Sequence, residues 1–313
     1  MTQPHTHKRY LTLNDHLRAR YGRKVFKVPL DAGFTCPNKD GTAGTGGCVF
    51  CSPSGSGDYA GDQALTLREQ FDTIRERLHD KWPDAAYIPY FQANTNTYAD
   101  LDTLRACFDQ AVGFHPDVVA IAIATRPDAL ENDVIDYLDS LSNRVDVTLE
   151  LGLQSMHDET GQRINRGHDL NTFDAAVMRL AKTGVEIVVH IINGLPGETP
   201  AMMLDTIKHL NTLPIHGVKI HMLHVMKRTA LGEDYEKEPF PLLVLPAYVD
   251  IVVEQLRYLR PDIVVHRVTG DSPKEALLAP AWTLKKFVVM NEIDKRLRAL
   301  DARQGDCYKK KTD

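Results

Sequence analysis

No apolar run in this 313-residue sequence approaches the roughly 20 residues that a bilayer-spanning helix needs; stretches such as Val118 to Ala124 are broken within about ten. The opening residues, MTQPHTHKRYLTLNDH, contain neither the apolar core nor the small-residue cleavage site of a secretory signal. A soluble protein that is not exported is therefore expected. Apart from a glycine-rich run between Gly41 and Gly47 there is no low-complexity tract, no repeat of solenoid period and no obvious flexible linker. With 43% hydrophobic residues the chain can bury a substantial core, as one large α/β domain or two smaller ones. Charge of one sign is not in large excess either, and a net charge of -5 gives no global attraction to nucleic acid. Cysteine is sparse: there are five, three of them crowded between residues 36 and 51. That distribution suits a metal site in a reducing compartment better than a disulfide framework, and the cytoplasm is the expected location.

What charge there is lies unevenly. Residues 1 to 27 hold Lys8, Arg9, Arg18, Arg20, Arg23, Lys24 and Lys27 against the single acid Asp15. Near the other end Lys285, Lys286, Lys295, Arg296, Arg298 and Lys309 to Lys311 outnumber the acids around them. From residue 25 onward short β-rich segments alternate with amphipathic ones. The strands expected are 24–30, 86–93, 118–125, 145–154, 186–194 and 217–225; the helices between them are 67–82, 100–112, 132–141, 171–184 and 200–210. Thr199 and Pro200 read as N-cap and first helical residue, and Gly184 as the left-handed end of its helix. Such βα units connect right-handedly and build either an open doubly wound sheet or part of a barrel. After residue 226 a helix over 246–259, a strand over 263–268 and a long helix from Trp282 to about Arg303 are expected as a C-terminal extension, residues 227–313, behind a basic segment 1–24 and a barrel 25–226.

Directly after the first strand comes GFTCPNKDGTAGTGGCVFC, with eleven residues between Cys36 and Cys48 and two between Cys48 and Cys51. Loops at the C-terminal ends of parallel strands are where α/β barrels place their chemistry. Gly41, Gly44, Gly46 and Gly47 let the backbone turn tightly and approach an inorganic cluster, with the three thiolates facing one point. Three thiolates leave one iron of a four-iron cube open, the mark of a catalytic site. A structural zinc site is the alternative, but zinc takes four ligands, and the nearby histidines, His5, His7 and His16, precede the strand. A phosphate loop is disfavoured by the missing Gly-Lys-Ser/Thr ending.

At these residues the chain resembles the radical SAM superfamily, and more closely its YhcC/YtqA-like family, whose motif has this C-x11-C-x2-C spacing. The resemblance continues through YFQANTNTYA, ATRPDAL, LELGLQSMHDETGQRINRGHD, HIINGLPGE and HRVTGDSP, in order at successive strand ends. It implies a partial (β/α)6 barrel with a C-terminal α/β extension, a [4Fe-4S] cluster on Cys36, Cys48 and Cys51, and S-adenosylmethionine bound at the open iron. It also implies a reductant such as flavodoxin or ferredoxin, and a 5′-deoxyadenosyl radical that a closed barrel would shield. Phe50 falls at the position that lies near adenine. Gln92, Asn94 and Thr95 stand where the superfamily often has a Gly-Gly-Glu string for the substrate amine; the string is absent here. By the same likeness Glu150 and Gln154 would hold ribose hydroxyls, and Arg166 would pair with the methionine carboxylate, Arg163 being the competing choice. Gly194 and Gly197 would admit adenine beside Ile192, with Leu223 or Val225 as a further apolar face, although plain barrel filling explains the aliphatic residues equally well. Glu198 could cap the next helix, and Arg126 with Asp128 could form a structural ion pair.

The barrel also resembles that of the Elongator catalytic subunit, which modifies wobble uridine in tRNA, so tRNA is the substrate the resemblance implies. The basic N-terminal segment, His221, His224, Lys227 and Arg228, and the basic C-terminal helix could supply phosphate contacts, or could be a solvated basic face. An enzyme acting on a protein or metabolite remains the alternative within the class, and a zinc or Fe-S module without activity the alternative outside it. Cys107 and Cys307 form no second three-cysteine motif, which disfavours methylthiolation. The chain also offers no room after the barrel for an acetyltransferase domain, so trimming or rearranging a side chain is the expected reaction. Cys307 in GDCYKKK reads either as a thiol participant or as an incidental tail cysteine.

Overall fold

The computed structural model describes residues 8–52, 55 and 57–310; His5, His7 and Lys311, singled out above, lie outside that range. A helix not anticipated from the pattern, α1 (Leu13–Tyr21), comes first, N-capped by Thr12. The βα alternation follows as expected: β1 (Val25–Leu30), α2 (Leu67–His79), β2 (Ala86–Phe91), α3 (Leu101–Val112), β3 (Ala120–Thr125), α4 (Asn132–Ser142) and β4 (Asp146–Gln154). After a short α5 (Asp158–Arg163) it resumes with α6 (Leu170–Leu180), β5 (Glu186–Asn193), α7 (Pro200–Leu210) and β6 (Gly217–Met222). Thr199 caps α7 with Pro200 in its first turn, as its sequence position predicts. Gly184 departs from expectation. Helix α6 already ends at Leu180, Gly184 is absent from the left-handed residues, and a Cβ on it would stand 2.5 Å from the Ser142 hydroxyl. Close packing against α4, not a helix cap, needs glycine there.

The remaining elements are β7 (Val225–Met226), α8 (Ala230–Lys237), α9 (Leu245–Tyr258), β8 (Val264–Arg267), β9 (Leu277–Ala279), a 3-10 turn at Ala281–Leu284 and α10 (Lys286–Ala299). The expected single helix from Trp282 thus divides into a 3-10 turn and a shorter α-helix. Strand β8 was expected in an extension; it pairs parallel with β6 and completes a seven-stranded sheet in the order β1-β2-β3-β4-β5-β6-β8. The sheet curls into a half-barrel. Helix α1 touches both edge strands, β1 and β8, and its Leu13 and Leu17 face the interior, so it closes the end of the barrel opposite the β-strand C-termini.

Strand periodicity sorts the side chains. On β2, Tyr87 and Phe91 pack outward against the helices while Ala86, Ile88 and Tyr90 point inward. On β4, Val147, Leu149, Leu151 and Leu153 join the outer core, and the alternate residues Glu150, Gly152 and Gln154 line the interior. Strand β6 repeats the pattern with Val218 and Ile220 outside and Lys219 and His221 inside. The outer layer is the hydrophobic core proper; the interior is polar from its middle upward.

Candidate active site

The interior holds a cavity of about 890 Å³. Cys36, Cys48, Phe50 and Cys51 line it, together with Gln92, Asn94, Thr95, Gln154, Ile192 and Leu223. The sequence therefore brings together most of the residues it singles out. The cysteine loop is shaped by its own backbone and strapped to the segment after α5. Lys39 N–H donates to Cys36 O at 2.8 Å and Cys51 N–H to Cys48 O at 2.9 Å. Asn38 Nδ2 donates to Asn165 O at 2.6 Å, and Asn165 Nδ2 donates to Gly47 O at 2.7 Å. Gly47 is left-handed, φ 74°, and a Cβ on Gly44 would stand 2.2 Å from Asn38 Oδ1, so neither position tolerates a side chain easily.

Hydrogen bonding to Cys51, then burial, raises the Cys48 thiol well above its ordinary value, while the nearby Arg126 guanidinium pulls the other way. Asn38 Nδ2 also reaches Cys48 Sγ at 3.7 Å. The three cysteines share the cavity, but no three ligating side chains converge on a single ion among the described residues. A four-iron cube takes one thiolate per iron and does not require that convergence, whereas one zinc ion does. An all-sulfur donor set on a glycine-bent loop at the cavity wall thus fits the cluster.

Four expectations about the pocket change. Arg166 is 1% exposed and lies outside the cavity wall. Its guanidinium donates to the carbonyls of Leu153 at 2.9 Å, Ser155 at 2.5 Å and His168 at 2.8 Å, and to Asp158 at 2.9 Å. It ties the end of β4 to the following turn and has no role as a carboxylate clamp in this geometry. Arg163, the competitor, donates to Pro196 O at 2.6 Å. Glu150 is fully buried and meets Lys27, Lys219, Tyr90 and His190, so its carboxylate is not left for ribose hydroxyls. Gly194 is left-handed, φ 90°, and a Cβ would stand 3.1 Å from Leu243; it serves the turn and the packing behind the wall. His221 and His224 are half-buried in the cavity wall, and desolvation lowers the pKa of both, which favours the neutral imidazole over a cationic phosphate contact.

The expected Arg126–Asp128 ion pair is present. Arg126 and Asp128 form a two-bond ion pair at 2.9 and 2.6 Å, with Arg126 also donating to Arg166 O at 2.7 Å. Arg126 lines the cavity, and the Cys36 and Cys48 thiolates are among the charges that raise its pKa, after burial, which lowers it, and Asp128. Glu198 does not cap α7 as expected: it accepts from the Ser155 hydroxyl, burial raises its pKa, and Thr199 does the capping. Asn94 and Gln154 are both left-handed, φ 58° and 62°, a conformation that L-residues adopt at a cost and that here turns both side chains into the cavity. The basic N-terminal segment is largely paired within the chain: Lys8 with Asp294, Arg9 with Asp301, Arg20 with Asp146 and Glu186, and Arg23 with Asp117.

Sequence reasoning missed the deeper wall. Lys27, Tyr90, His190, Lys219 and His266 line the cavity below the cysteine loop. Tyr90 Oη donates to Glu150 at 2.6 Å, Lys219 Nζ donates to Tyr90 Oη at 3.1 Å, and His190 Nε2 meets Glu150 at 2.8 Å. Burial alone would raise the Glu150 pKa, but Lys219 and Lys27 hold it well below the usual range. Burial lowers Lys219 to about 7, and burial with Lys219 lowers His190 to about 4. A lysine or histidine recurring inside a β-branched segment, as in KVFKVPL and GVKIHM, was the signal available.

Comparison with known proteins agrees with this geometry. Residues 40–210 match the model of the radical SAM superfamily, and residues 215–299 that of a radical SAM C-terminal domain. The chain is 47% identical to YtqA of Bacillus subtilis over 305 residues, 97% of this chain and 94% of that protein. It is 31% identical over 126 residues to a Methanocaldococcus infernus protein named tRNA uridine(34) acetyltransferase, covering 39% of this chain and 23% of that one. The solved structure of Methanocaldococcus infernus Elp3 with an N-terminal deletion superposes with a TM-score of 0.65 at 17% identity, over 90% of this chain and 64% of that one. A sulfur-lined half-barrel of this order, matched across more than half its length, makes the chain a member of the radical SAM superfamily, close to YtqA.

Proposed function

We propose that this enzyme modifies the side chain of a wobble uridine in tRNA, taking a hydrogen atom from it inside the half-barrel. Superfamily membership makes it an enzyme whose cofactors are a [4Fe-4S] cluster and S-adenosylmethionine. Cys36, Cys48 and Cys51 would hold the cluster, which when reduced supplies the electron that cleaves the sulfonium of S-adenosylmethionine. Phe50, Gln92, Asn94, Thr95, Gln154, Ile192 and Leu223 line the same space and would position the cofactor. Arg126, on the wall near Cys36 and Cys48, replaces Arg166 as the cation beside it. Helix α1 closes the chamber at the end opposite the cysteine loop, which would limit the water and stray hydrogen donors that quench a radical. A reductant of the flavodoxin or ferredoxin kind would deliver the electron.

The observation that carries the tRNA reading is the sequence likeness to a protein named for tRNA uridine(34). Cavity size supports it. About 890 Å³ is near the upper end of ligand pockets, leaving room for a substrate group beside the cofactor. At the rim Lys286 and Arg267, which share Asp271, stand 44% and 36% exposed and would add phosphate contacts to those of the N-terminal segment. Mass spectrometry of tRNA nucleosides from cells with and without the gene tests the reading. A wobble uridine arrested at a precursor is the expected result, and an unchanged uridine profile overturns it.

A further inference from the structure

The floor of the cavity carries more positive than negative charge. Lys27 enters from β1, Lys219 from β6, and both ammonium groups bind the one carboxylate of Glu150 on β4. The other polar groups facing this cluster are neutral or paired. Tyr90 on β2 keeps its proton, its pKa raised by burial and Glu150. His190 on β5, His221 on β6 and His266 on β8 have pKa values pushed down by burial. Arg267, also on β8, is paired with Asp271 at 3.1 Å nearer the rim. When both are protonated, buried Lys219 and half-buried Lys27 on one carboxylate leave about one charge uncompensated in a region largely shielded from water, an arrangement that is costly unless an anion completes it.

The site lies apart from the cofactor end. Lys27 and Lys219 are each the third residue of their strands, whereas the cysteine loop follows the C-terminal end of β1. Lys219 spends two hydrogen bonds on Glu150 and Tyr90, and Lys27 one on Glu150, out of three donors each. From this we infer that Lys27 and Lys219 form a subsite for a carboxylate borne by the substrate, seated on the barrel floor against Tyr90 and His190. A single carboxylate matches the single excess charge; a phosphate monoester brings nearly two. The subsite rests on the cavity being the reaction chamber, as proposed above, but not on tRNA being what enters it.

The test uses cluster-loaded holoenzyme with S-adenosylmethionine, kept anaerobic and labelled with [ε-13C]lysine. Carbon NMR follows the titration of Lys219 in sodium acetate and in sodium chloride of equal ionic strength. The expected result is a midpoint near 7 in chloride that rises by about one unit in acetate, since an anion held tenfold tighter by the ammonium form shifts the midpoint by that amount. In Lys27→Met the remaining Lys219–Glu150 pair is balanced, and acetate is expected to move nothing. The inference is overturned by equal wild-type midpoints in acetate and chloride, or by inorganic phosphate shifting the midpoint as much as acetate does. Should Lys27→Met not fold, the wild-type comparison still decides. No RNA enters the measurement, so failure of the tRNA reading and failure of this subsite are read separately.

Discussion

At its cysteine end the cavity is walled by loop, glycine-rich and fixed by the side-chain amides of Asn38 and Asn165 donating to main-chain carbonyls; at its floor it is walled by regular strand, with lysine, tyrosine, histidine and glutamate pointing inward. The first region obtains its shape from backbone conformations such as that of Gly47, and its thiols are held for a group that the protein itself does not supply. The second obtains its shape from sheet register and stores its energy in buried charge. Ligand removal should therefore disable the first without unfolding it, whereas loss of one side chain should destabilise the second. Loops can carry chemistry because strands beneath them are rigid.

The sharpest test of that contrast is at the cysteines. Replacing Cys36, Cys48 or Cys51 by alanine is expected to abolish the brown chromophore of the reconstituted protein and its release of 5′-deoxyadenosine, with the circular dichroism of the sheet and helices unchanged. Unfolding of all three variants would break the comparison.

At the floor, Glu150→Gln removes the buried carboxylate that Lys27 and Lys219 share. The expected loss is about 3–5 kcal/mol of folding stability, measured by denaturant titration, because it leaves uncompensated buried charge. The exposed pair Lys295–Glu292 makes the control: Lys295→Ala is expected to cost roughly 0.5 kcal/mol or less. Equal effects at the two places would remove the distinction between floor and surface.

A smaller effect is the pH dependence. Lys219 has a folded pKa near 7 against 10.5 for the free side chain, so between those values the unfolded chain holds a proton that the folded chain has released. Stability from this group therefore rises with pH across that window. His190, near 4 when folded and 6.5 when free, gives the same sign between pH 4 and 6.5. Denaturant midpoints measured from pH 7 to 10 should show a positive slope contribution that disappears in Lys219→Met; an identical slope in the variant would sink the assignment.

Much of the molecule is legible in the chain itself. β-rich segments alternating with amphipathic ones give all seven strands of the sheet and most helices, and the C-x11-C-x2-C spacing marks the three cysteines that would hold the cluster. Helix α1 escapes because its basic residues mask a pattern with only Leu13 and Leu17 turned inward. Arg166 and Glu150 illustrate the other kind of miss. Spacing correctly puts Glu150 on the inner face, yet whether a polar side chain meets ligand or protein depends on partners more than a hundred residues away, Lys27 in the case of Glu150.

The sequence by itself determined which segments are strand and which loop gathers sulfur, since those follow from local composition and spacing. Only the tertiary structure decided that β8 joins the barrel sheet, that Arg166 is spent on carbonyls, and that two lysines share one glutamate under the cavity. The reason is physical: curling of the sheet brings β1, β4 and β6 around one interior, and the charge balance of that interior is a sum over strands that no single segment contains.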